Sequence, residues 1–203
     1  EPFARLYDKY LPGWANEPEL FVRIARIPEE ELWGAHMTAK RALIDYVNEK
    51  TGIGMDYDTL TIGFARRSTA YKRANLLMWD IERLRKIGKG KIQVIYAGKA
   101  HPRDAEGKKN IELIIKTAAE LKKDIKIVYL ENYNMDLGLK LASGVDIWLN
   151  TPMRPREASG TSGMKASHNG VLNFSILDGW WIEGHIEGYT GWSIGPDPTE
   201  VSL

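Results

Sequence analysis

From residue 60 onward, short apolar runs alternate with longer segments that are apolar on one face only. The runs lie at residues 60–65, 92–98, 125–130, 145–150 and 171–175. Between them, the three- and four-residue apolar spacing of helices appears at 73–87, 104–122 and 134–142, and in a short segment after Gly160. Repeated alternation of strand and helix predicts βαβ units, and therefore an α/β fold with a parallel sheet covered by helices on both faces.

The first 56 residues have a different, helical character. Pro28 and the three glutamates after it are typical of a helix start, where the helix dipole favours acidic side chains. The apolar spacing that follows predicts one helix, which ends at Gly52. Because prolines interrupt residues 1–27, we expect that part to be a surface arm. The sequence thus predicts a helical arm or linker at 1–56 and a sheet domain at 57–203.

Composition excludes several classes of protein. The 28 basic and 27 acidic residues give a net charge of +1, which argues against a dedicated nucleic-acid binder. The chain has no cysteine, and its four histidines lack metal-ligand spacing, so we expect neither disulfides nor a metal site. No apolar run approaches the roughly 20 residues of a membrane span. We therefore expect a cytoplasmic protein without a membrane partner.

The loop after the fourth predicted strand is rich in glycine and small residues. Ligands of open parallel sheets bind at the carboxyl ends of the strands, where this loop lies. A helix that starts near Gly160 and Thr161 would direct free N–H groups at an anion, and Lys165 follows about one turn later. An ordinary glycine-rich loop with a solvated lysine is the alternative, and these residues alone leave both interpretations open.

A basic segment follows the first predicted strand. Four cations stand within eight residues, at Arg66, Arg67, Lys72 and Arg73. Such a cluster can hold a phosphate by charge-assisted hydrogen bonds, although a solvated basic turn is the commoner meaning of a charge run. Neither GxxxxGK[ST] nor GxGxxG occurs, so ordinary nucleoside triphosphate and dinucleotide loops are unsupported.

Together these segments resemble the α-glucan phosphorylases, the family of glycogen, starch and maltodextrin phosphorylases. Residues 157–165, EASGTSGMK, are similar to the family's cofactor-lysine segment, and residues 61–73 are similar to its phosphate-site segment. Three shorter segments agree in order and approximate spacing, at 97–100, 130–133 and 177–179. Residues 14–50 resemble the shorter bacterial and archaeal branch, so the resemblance covers nearly the whole chain.

The resemblance implies a fold and an activity. The family consists of retaining glycosyltransferases of the two-lobed GT-B type, with Rossmann-like lobes and pyridoxal phosphate in the C-terminal lobe. They release terminal glucose of an α-1,4-glucan as glucose 1-phosphate, using inorganic phosphate. Because members are several times longer, residues 57–203 would be the cofactor- and phosphate-binding lobe of a fragment that is inactive without its N-terminal lobe. The sequence leaves open whether the protein forms a homo-oligomer.

The resemblance also assigns cofactor residues by position. Lys165 would carry pyridoxal phosphate, and the cofactor phosphate would meet the backbone at Gly160, Thr161 and Ser162. Arg66 and Tyr133 would complete the cofactor pocket. Arg66 departs from the lysine of the animal enzymes but keeps the positive charge.

The remaining assignments concern substrate. Arg67 and Lys72 would bind the substrate phosphate and act in catalysis, and the glucosyl hydroxyls would contact Glu157, Ser159 and Gly160. His168 has no counterpart in the family pattern, and we expect it to pack rather than to act.

Two alternatives compete with this interpretation. Nucleotide-sugar glycogen and starch synthases share the two-lobed architecture. Where this chain has Glu157 and Lys165, however, those enzymes have two glutamates in the pattern Glu-x7-Glu. A lysine at the second position suits an aldehyde cofactor, whereas an acid suits a ribose. The other alternative is a non-catalytic glucan-binding remnant whose seven tryptophans stack on sugars. We expect most of them to pack internally, with Trp180 and Trp181 exposed.

Overall fold

The structure, a computed structural model, describes residues 2–198 and has a six-stranded sheet at its centre. The strands are β1 (Leu60–Ala65), β2 (Ile92–Ala97), β3 (Lys126–Leu130), β4 (Ile147–Asn150), β5 (Leu172–Ile176) and β6 (Gly191–Ile194). All neighbours pair in parallel, in the order β3-β2-β1-β4-β5-β6. This is the strand order of Rossmann folds, so the predicted Rossmann-like α/β sheet is confirmed.

Seven α-helices flank or precede the strands within residues 2–198. They are α1 (Pro2–Tyr10), α2 (Glu29–Thr51), α3 (Ile81–Gly88), α4 (Ala105–Leu121), α5 (Met135–Gly144), α6 (Thr161–His168) and α7 (Trp181–Gly184). Short 3₁₀ helices occupy Pro18–Arg26, Ala70–Lys72 and Leu76–Met78. As predicted, α2 ends at Gly52, which adopts φ 65°. None of the helices in this part of the chain has the length and apolar character to cross a bilayer.

Each face of the sheet carries its own apolar core. On one face, side chains of α2, α5 and α6 pack against β2, β3 and β4, with Leu43, Leu141 and Trp148 almost fully buried. On the other face, α3 and α4 contribute Leu84, Ile114 and Leu121 to a second buried cluster. Helices on both faces leave only the ends of the parallel strands open, which is where this fold places ligands.

The N-terminal region is packed against the rest of the chain. Phe3, Tyr7 and Leu11 are buried in a third apolar cluster, although a surface arm was expected for residues 1–27. The Tyr7 hydroxyl also donates to the carbonyl of His168 at 2.7 Å. Because α2 buries its apolar face in the core of the sheet, this helix shares a core with the strands. The division at residue 56 stays a prediction.

Three expectations about local structure were wrong or incomplete. The helix predicted at 73–87 is confined to α3, because Arg73 adopts φ 44° and a 3₁₀ turn at Leu76–Met78 replaces the first part of the helix. Neither α7 nor β6 was predicted. Trp181 was expected to be exposed but is fully buried. In α7 its ring packs against those of Trp180 and His185, with ring centres 5.2 and 5.3 Å apart.

Candidate functional site

The candidate site lies at the carboxyl ends of β1 and β4. These two strands are neighbours, but the strands that follow them in the chain lie on opposite sides of the pair. Such a switch point opens a crevice at the edge of the sheet. The Arg66 guanidinium, just after β1, crosses this point and donates to the side-chain oxygen of Asn150 at the end of β4. The basic segment and the glycine-rich loop therefore meet here.

A buried cluster of three charged side chains occupies the crevice. The carboxylate oxygen Oε2 of Glu157 accepts from Arg66 at 2.8 Å and from the ammonium of Lys72 at 2.5 Å. The exposed fractions of these side chains are only 8%, 7% and 9% for Arg66, Lys72 and Glu157. Two cations against one carboxylate leave an excess positive charge, so the cluster favours a further anion beside it.

The environment keeps Glu157 ionised. Burial raises the pKa of its carboxyl, but the hydrogen bonds from Arg66 and Lys72 outweigh burial and hold this pKa below its ordinary value. Glu157 therefore neutralises one of the two positive charges, and one remains in excess. Of the predicted site residues, the structure brings these three into direct contact.

Hydrogen bonds fix the basic segment to the loop after β4. The Thr151 hydroxyl donates to the carbonyls of Lys72 and Arg73 at 2.9 and 3.0 Å. In return, the Arg73 guanidinium donates to the carbonyls of Thr151 and Pro152 at 3.1 and 2.8 Å. The backbone N–H of Met153 adds a bond to Tyr71. These bonds attach the segment that contains Lys72 to the start of the loop that contains Glu157.

The glycine-rich loop continues into α6. Gly160 adopts φ 86° just before the helix, a conformation that favours glycine, so the first turn can start abruptly after the loop. The first N–H groups of a helix, here those of Thr161 and Ser162, have no intrahelical acceptor. Lys165 is exposed one turn further on. The Ser162 hydroxyl accepts from the Trp148 indole at 3.3 Å, which leaves its backbone N–H as the free donor.

A turn after β5 supports this loop, and sequence reasoning gave it no role. The buried Asp178 carboxylate accepts from the backbone N–H of Glu157 at 3.0 Å. The backbone N–H of Trp180 donates to the Ser159 carbonyl at 2.8 Å. Between them, Gly179 adopts φ 59°, and a Cβ there would lie 2.5 Å from the Ser159 carbonyl oxygen. The signal that could have revealed this turn is the Asp178-Gly179 pair, three residues after the strand predicted at 171–175.

The other predicted site residues lie nearby with different surroundings. Arg67 is exposed, and its side chain has no hydrogen bond or ion pair to any of residues 2–198. Tyr133 is half-buried; burial raises the pKa of its phenol, and the charge of Arg66 partly offsets this. Ser159 is exposed beside Gly160. His168 packs against Phe21, with ring centres 5.3 Å apart. No group of three His, Asp or Glu residues in the described part of the chain is arranged for a metal ion.

The donor set fits a small ligand that carries a phosphate and an aldehyde. Free N–H groups at the start of α6 can bind a phosphate group, and the positive end of the helix dipole favours its charge. The exposed Lys165 offers a primary amine on the same helix. Cations of the buried cluster and Arg67 lie on the facing loop. Pyridoxal phosphate has both functional groups, so the residues present fit it.

Comparison with known proteins shows the family of this chain. The sequence model of the family described as carbohydrate phosphorylase matches residues 19–188. The maltodextrin phosphorylase of Thermococcus litoralis is 44% identical over 97% of this chain, and the glycogen phosphorylase of Aquifex aeolicus is 44% identical over 94%. The glycogen phosphorylase of Mycobacterium tuberculosis is 36% identical over 88% of the chain. The chain spans 26%, 31% and 23% of the length of these three relatives. With a family match over most of its length and several such relatives, this chain belongs to the carbohydrate phosphorylase family.

Proposed function

We propose that this chain is the cofactor- and phosphate-binding part of an α-1,4-glucan phosphorylase. The enzyme would release the terminal glucose of glycogen or maltodextrin as glucose 1-phosphate, with retention. The observation that carries the proposal is the buried cluster in which Arg66 and Lys72 share the carboxylate of Glu157. Relatives named maltodextrin and glycogen phosphorylase support the choice of substrate. Their greater length supports a facing lobe that this chain lacks.

Substrate phosphate would bind to Arg67 and Lys72. Arg67 has its guanidinium free for a ligand, and it directly follows Arg66 of the cluster. Phosphate carries up to two negative charges, so it needs several donors that are also cations. The low exposure of Lys72 strengthens its attraction to an anion, because little water screens it. Arg67 and Lys72 would then orient the phosphate toward the glycosidic bond and stabilise its charge.

The sugar would meet Glu157, Ser159 and Gly160. Both cations bind the same oxygen of Glu157, which leaves its other oxygen, Oε1, to accept from a glucosyl hydroxyl. Ser159 is exposed on the same loop, and the Asp178 turn holds the backbone on both sides of it. Residues held in this way can position a sugar without a large loss of side-chain entropy.

Pyridoxal phosphate would be held by α6 and its surroundings. Lys165 would provide the amine that anchors the cofactor, and the N–H groups of Thr161 and Ser162 would bind its phosphate beside Gly160. Arg66 and Tyr133 would border the pocket, in keeping with the effect of Arg66 on the Tyr133 phenol. When bound, the cofactor would supply a second phosphate group able to exchange a proton with substrate phosphate. The cations of residues 66–72 would offset the repulsion between the two phosphates.

Steady-state kinetics of the full-length enzyme test the phosphate site. Arg67→Ala should raise KM for phosphate and lower kcat. The ratio kcat/KM should fall by about tenfold to a hundredfold, because one charge-assisted hydrogen bond is lost. The matched control is Arg41→Ala, which removes an exposed arginine from α2 and should leave phosphate kinetics unchanged. Equal phosphate kinetics in wild type and Arg67→Ala would contradict the assignment.

The isolated chain should lack this activity. Without a facing lobe, bulk water and salt would screen the phosphate site, so each attraction would be several-fold weaker. We expect purified 1–203 to be folded but to form no glucose 1-phosphate from maltodextrin with added cofactor and phosphate. Turnover near the enzyme median of about 10 per second would show that the catalytic site is complete within this chain.

A further inference from the structure

A cavity lined by residues other than those of the candidate site lies beside the loop after β4. Its volume is about 310 Å³, and the residues around it are Arg73, Leu76, Arg154, Ile176, Ile194, Gly195 and Pro196. None of the residues assigned to the phosphate, cofactor or sugar lines it. Its walls combine two guanidinium groups with mostly apolar side chains, and none of these described lining residues has a carboxylate.

Arg154 lines this cavity and has an unsatisfied donor. Its Nη1 atom is buried and has no hydrogen-bond partner in the part of the chain that the structure describes. A buried donor of a charged group is costly to leave unpaired, and in folded proteins such a donor commonly binds an ordered water or an ion. The charge of Arg154 therefore favours a ligand that accepts hydrogen bonds in the cavity.

Arg73 brings a second guanidinium whose orientation is fixed. Two of its nitrogens, Nε and Nη2, donate to the carbonyls of Thr151 and Pro152 at 3.1 and 2.8 Å. Its Nη1 takes part in neither bond. Because the side chain is already held, a ligand that binds it would cost little side-chain entropy.

We propose that this cavity binds a phosphate group, either as inorganic phosphate or as a phosphomonoester. Two cations, with no carboxylate among the described residues that line the cavity, match a doubly charged oxyanion better than a singly charged one. Guanidinium groups present parallel donors that suit phosphate oxygens. Apolar side chains of Leu76, Ile176 and Ile194 line the wall beside the two guanidinium groups, and the volume is at the lower end of small-ligand sites, about 300–1,000 Å³.

Side-chain NMR separates this cavity from the phosphate site. The Nε–H signals of Arg73, Arg154 and Arg67 in the ¹⁵N-arginine-labelled chain are followed during titration at constant ionic strength. Inorganic phosphate, glucose 1-phosphate and acetate are the three probes. We expect Arg73 and Arg154 to shift together, with one midpoint that differs from that of Arg67. A response to phosphate alone identifies the free ion as ligand, and a tighter response to glucose 1-phosphate identifies a monoester.

Two variants provide the matched comparison. Arg154→Met should raise the phosphate midpoint seen at Arg73 by about tenfold or more, since it removes charge-assisted bonds. Arg156→Met removes an exposed arginine two residues away and should leave that midpoint unchanged. The proposal is overturned if neither phosphate probe shifts wild-type Arg73 and Arg154 at millimolar concentrations, or if acetate shifts them equally. An unchanged midpoint in a folded Arg154→Met chain overturns it as well; if that variant does not fold, the wild-type titration decides.

Discussion

Glu157 controls the local charge balance of the candidate site. Its carboxylate is the shared partner of two buried cations, Arg66 and Lys72. If this negative charge is removed, both cations stay buried without a counter-charge, which is far more costly than the loss of a surface ion pair. The same residue therefore supports stability and sets how strongly the crevice attracts an anion.

Replacement of this charge should affect stability in a phosphate-dependent way. Glu157→Gln should lower the free energy of unfolding by about 3 kcal/mol in chloride buffer, because it breaks a buried pair. Phosphate at the same ionic strength should recover part of the loss, since a bound anion supplies the missing charge. Urea unfolding with and without phosphate measures both effects.

The control for this experiment is Glu112→Gln, which breaks the exposed pair with Lys116. It should change stability by no more than about 0.5 kcal/mol, and phosphate should not alter that difference. A Glu157→Gln chain as stable as wild type would show that the cluster contributes little. An equal effect of phosphate on both variants would show that the anion binds elsewhere.

Individual site residues were predictable only in part. The motifs identified Arg66, Lys72 and Glu157, which the structure brings into contact. The motifs did not reveal that Asp178 accepts from the backbone of Glu157, or that Thr151 joins two loops through its hydroxyl. Both contacts bring together residues far apart in the chain, and no spacing rule in the sequence encodes them.

At the scale of elements, a buried ionic contact fastens α2 to the amino edge of the sheet. The Asp146 carboxylate, just before β4, binds His36 and Lys40 of α2 at 2.7 Å each. It also accepts from the N–H of Thr61 at 2.6 Å. Burial raises the pKa of Asp146, but the bonds from His36, Lys40 and Thr61 outweigh it, so the pKa lies below its ordinary value.

This contact predicts an acid dependence of stability. A carboxyl with a lowered folded-state pKa stabilises the protein fully above its unfolded-state pKa of about 3.9. As pH falls through the lower folded-state pKa, the unfolded chain binds more protons and the stabilisation is lost. Between about pH 6 and pH 3, wild type should therefore lose more unfolding free energy than Asp146→Asn, as urea titrations at each pH would measure. Equal losses in both would contradict the role of Asp146.

The packing of α5 against α2 gives a second element-scale prediction. At Gly144, a Cβ would lie 2.7 Å from the Leu43 Cβ and 2.9 Å from the Ala39 carbonyl oxygen. Gly144→Ala should therefore destabilise the chain by about 1–3 kcal/mol. Gly34→Ala is the matched control within α2, where a Cβ meets nothing within 4 Å. It should stabilise by about 0.5–1 kcal/mol, and a similar urea midpoint for the two variants would contradict this packing.

Elements with a strong apolar period were predictable, and those fixed by distant contacts were not. The apolar run at 60–65 has the bounds of β1, because residues 61–65 are buried and the strand pairs with neighbours on both sides. Residues 73–80 also have helical spacing, but the Thr151 hydroxyl binds the carbonyl of Arg73, and the backbone adopts 3₁₀ geometry at Leu76–Met78. The short β6 contains Gly191 and Ser193, which weaken its apolar signal.

Across the whole chain, the amino and carboxyl ends of the parallel strands carry different groups. The amino edge carries the ionic anchor of α2, and the carboxyl edge carries the cation cluster and the start of α6. All loops of the candidate site leave the sheet on the same side, as the parallel order requires. The chain spans between a quarter and a third of the length of its relatives from Thermococcus litoralis and Aquifex aeolicus. In the proposed enzyme, a further lobe would close the crevice at this edge.

The lysine that carries the cofactor can be identified by covalent labelling, which tests the proposed function. The full-length enzyme is reduced with borohydride in the presence of pyridoxal phosphate, digested, and mapped by mass spectrometry. We predict a pyridoxyl group on Lys165, and we predict that Lys165→Arg abolishes both this label and phosphorolysis. Lys108→Arg, a change at an exposed lysine of α4, should retain both. A pyridoxyl group at a different lysine in the wild-type enzyme, or phosphorolysis that persists in Lys165→Arg, would contradict the account.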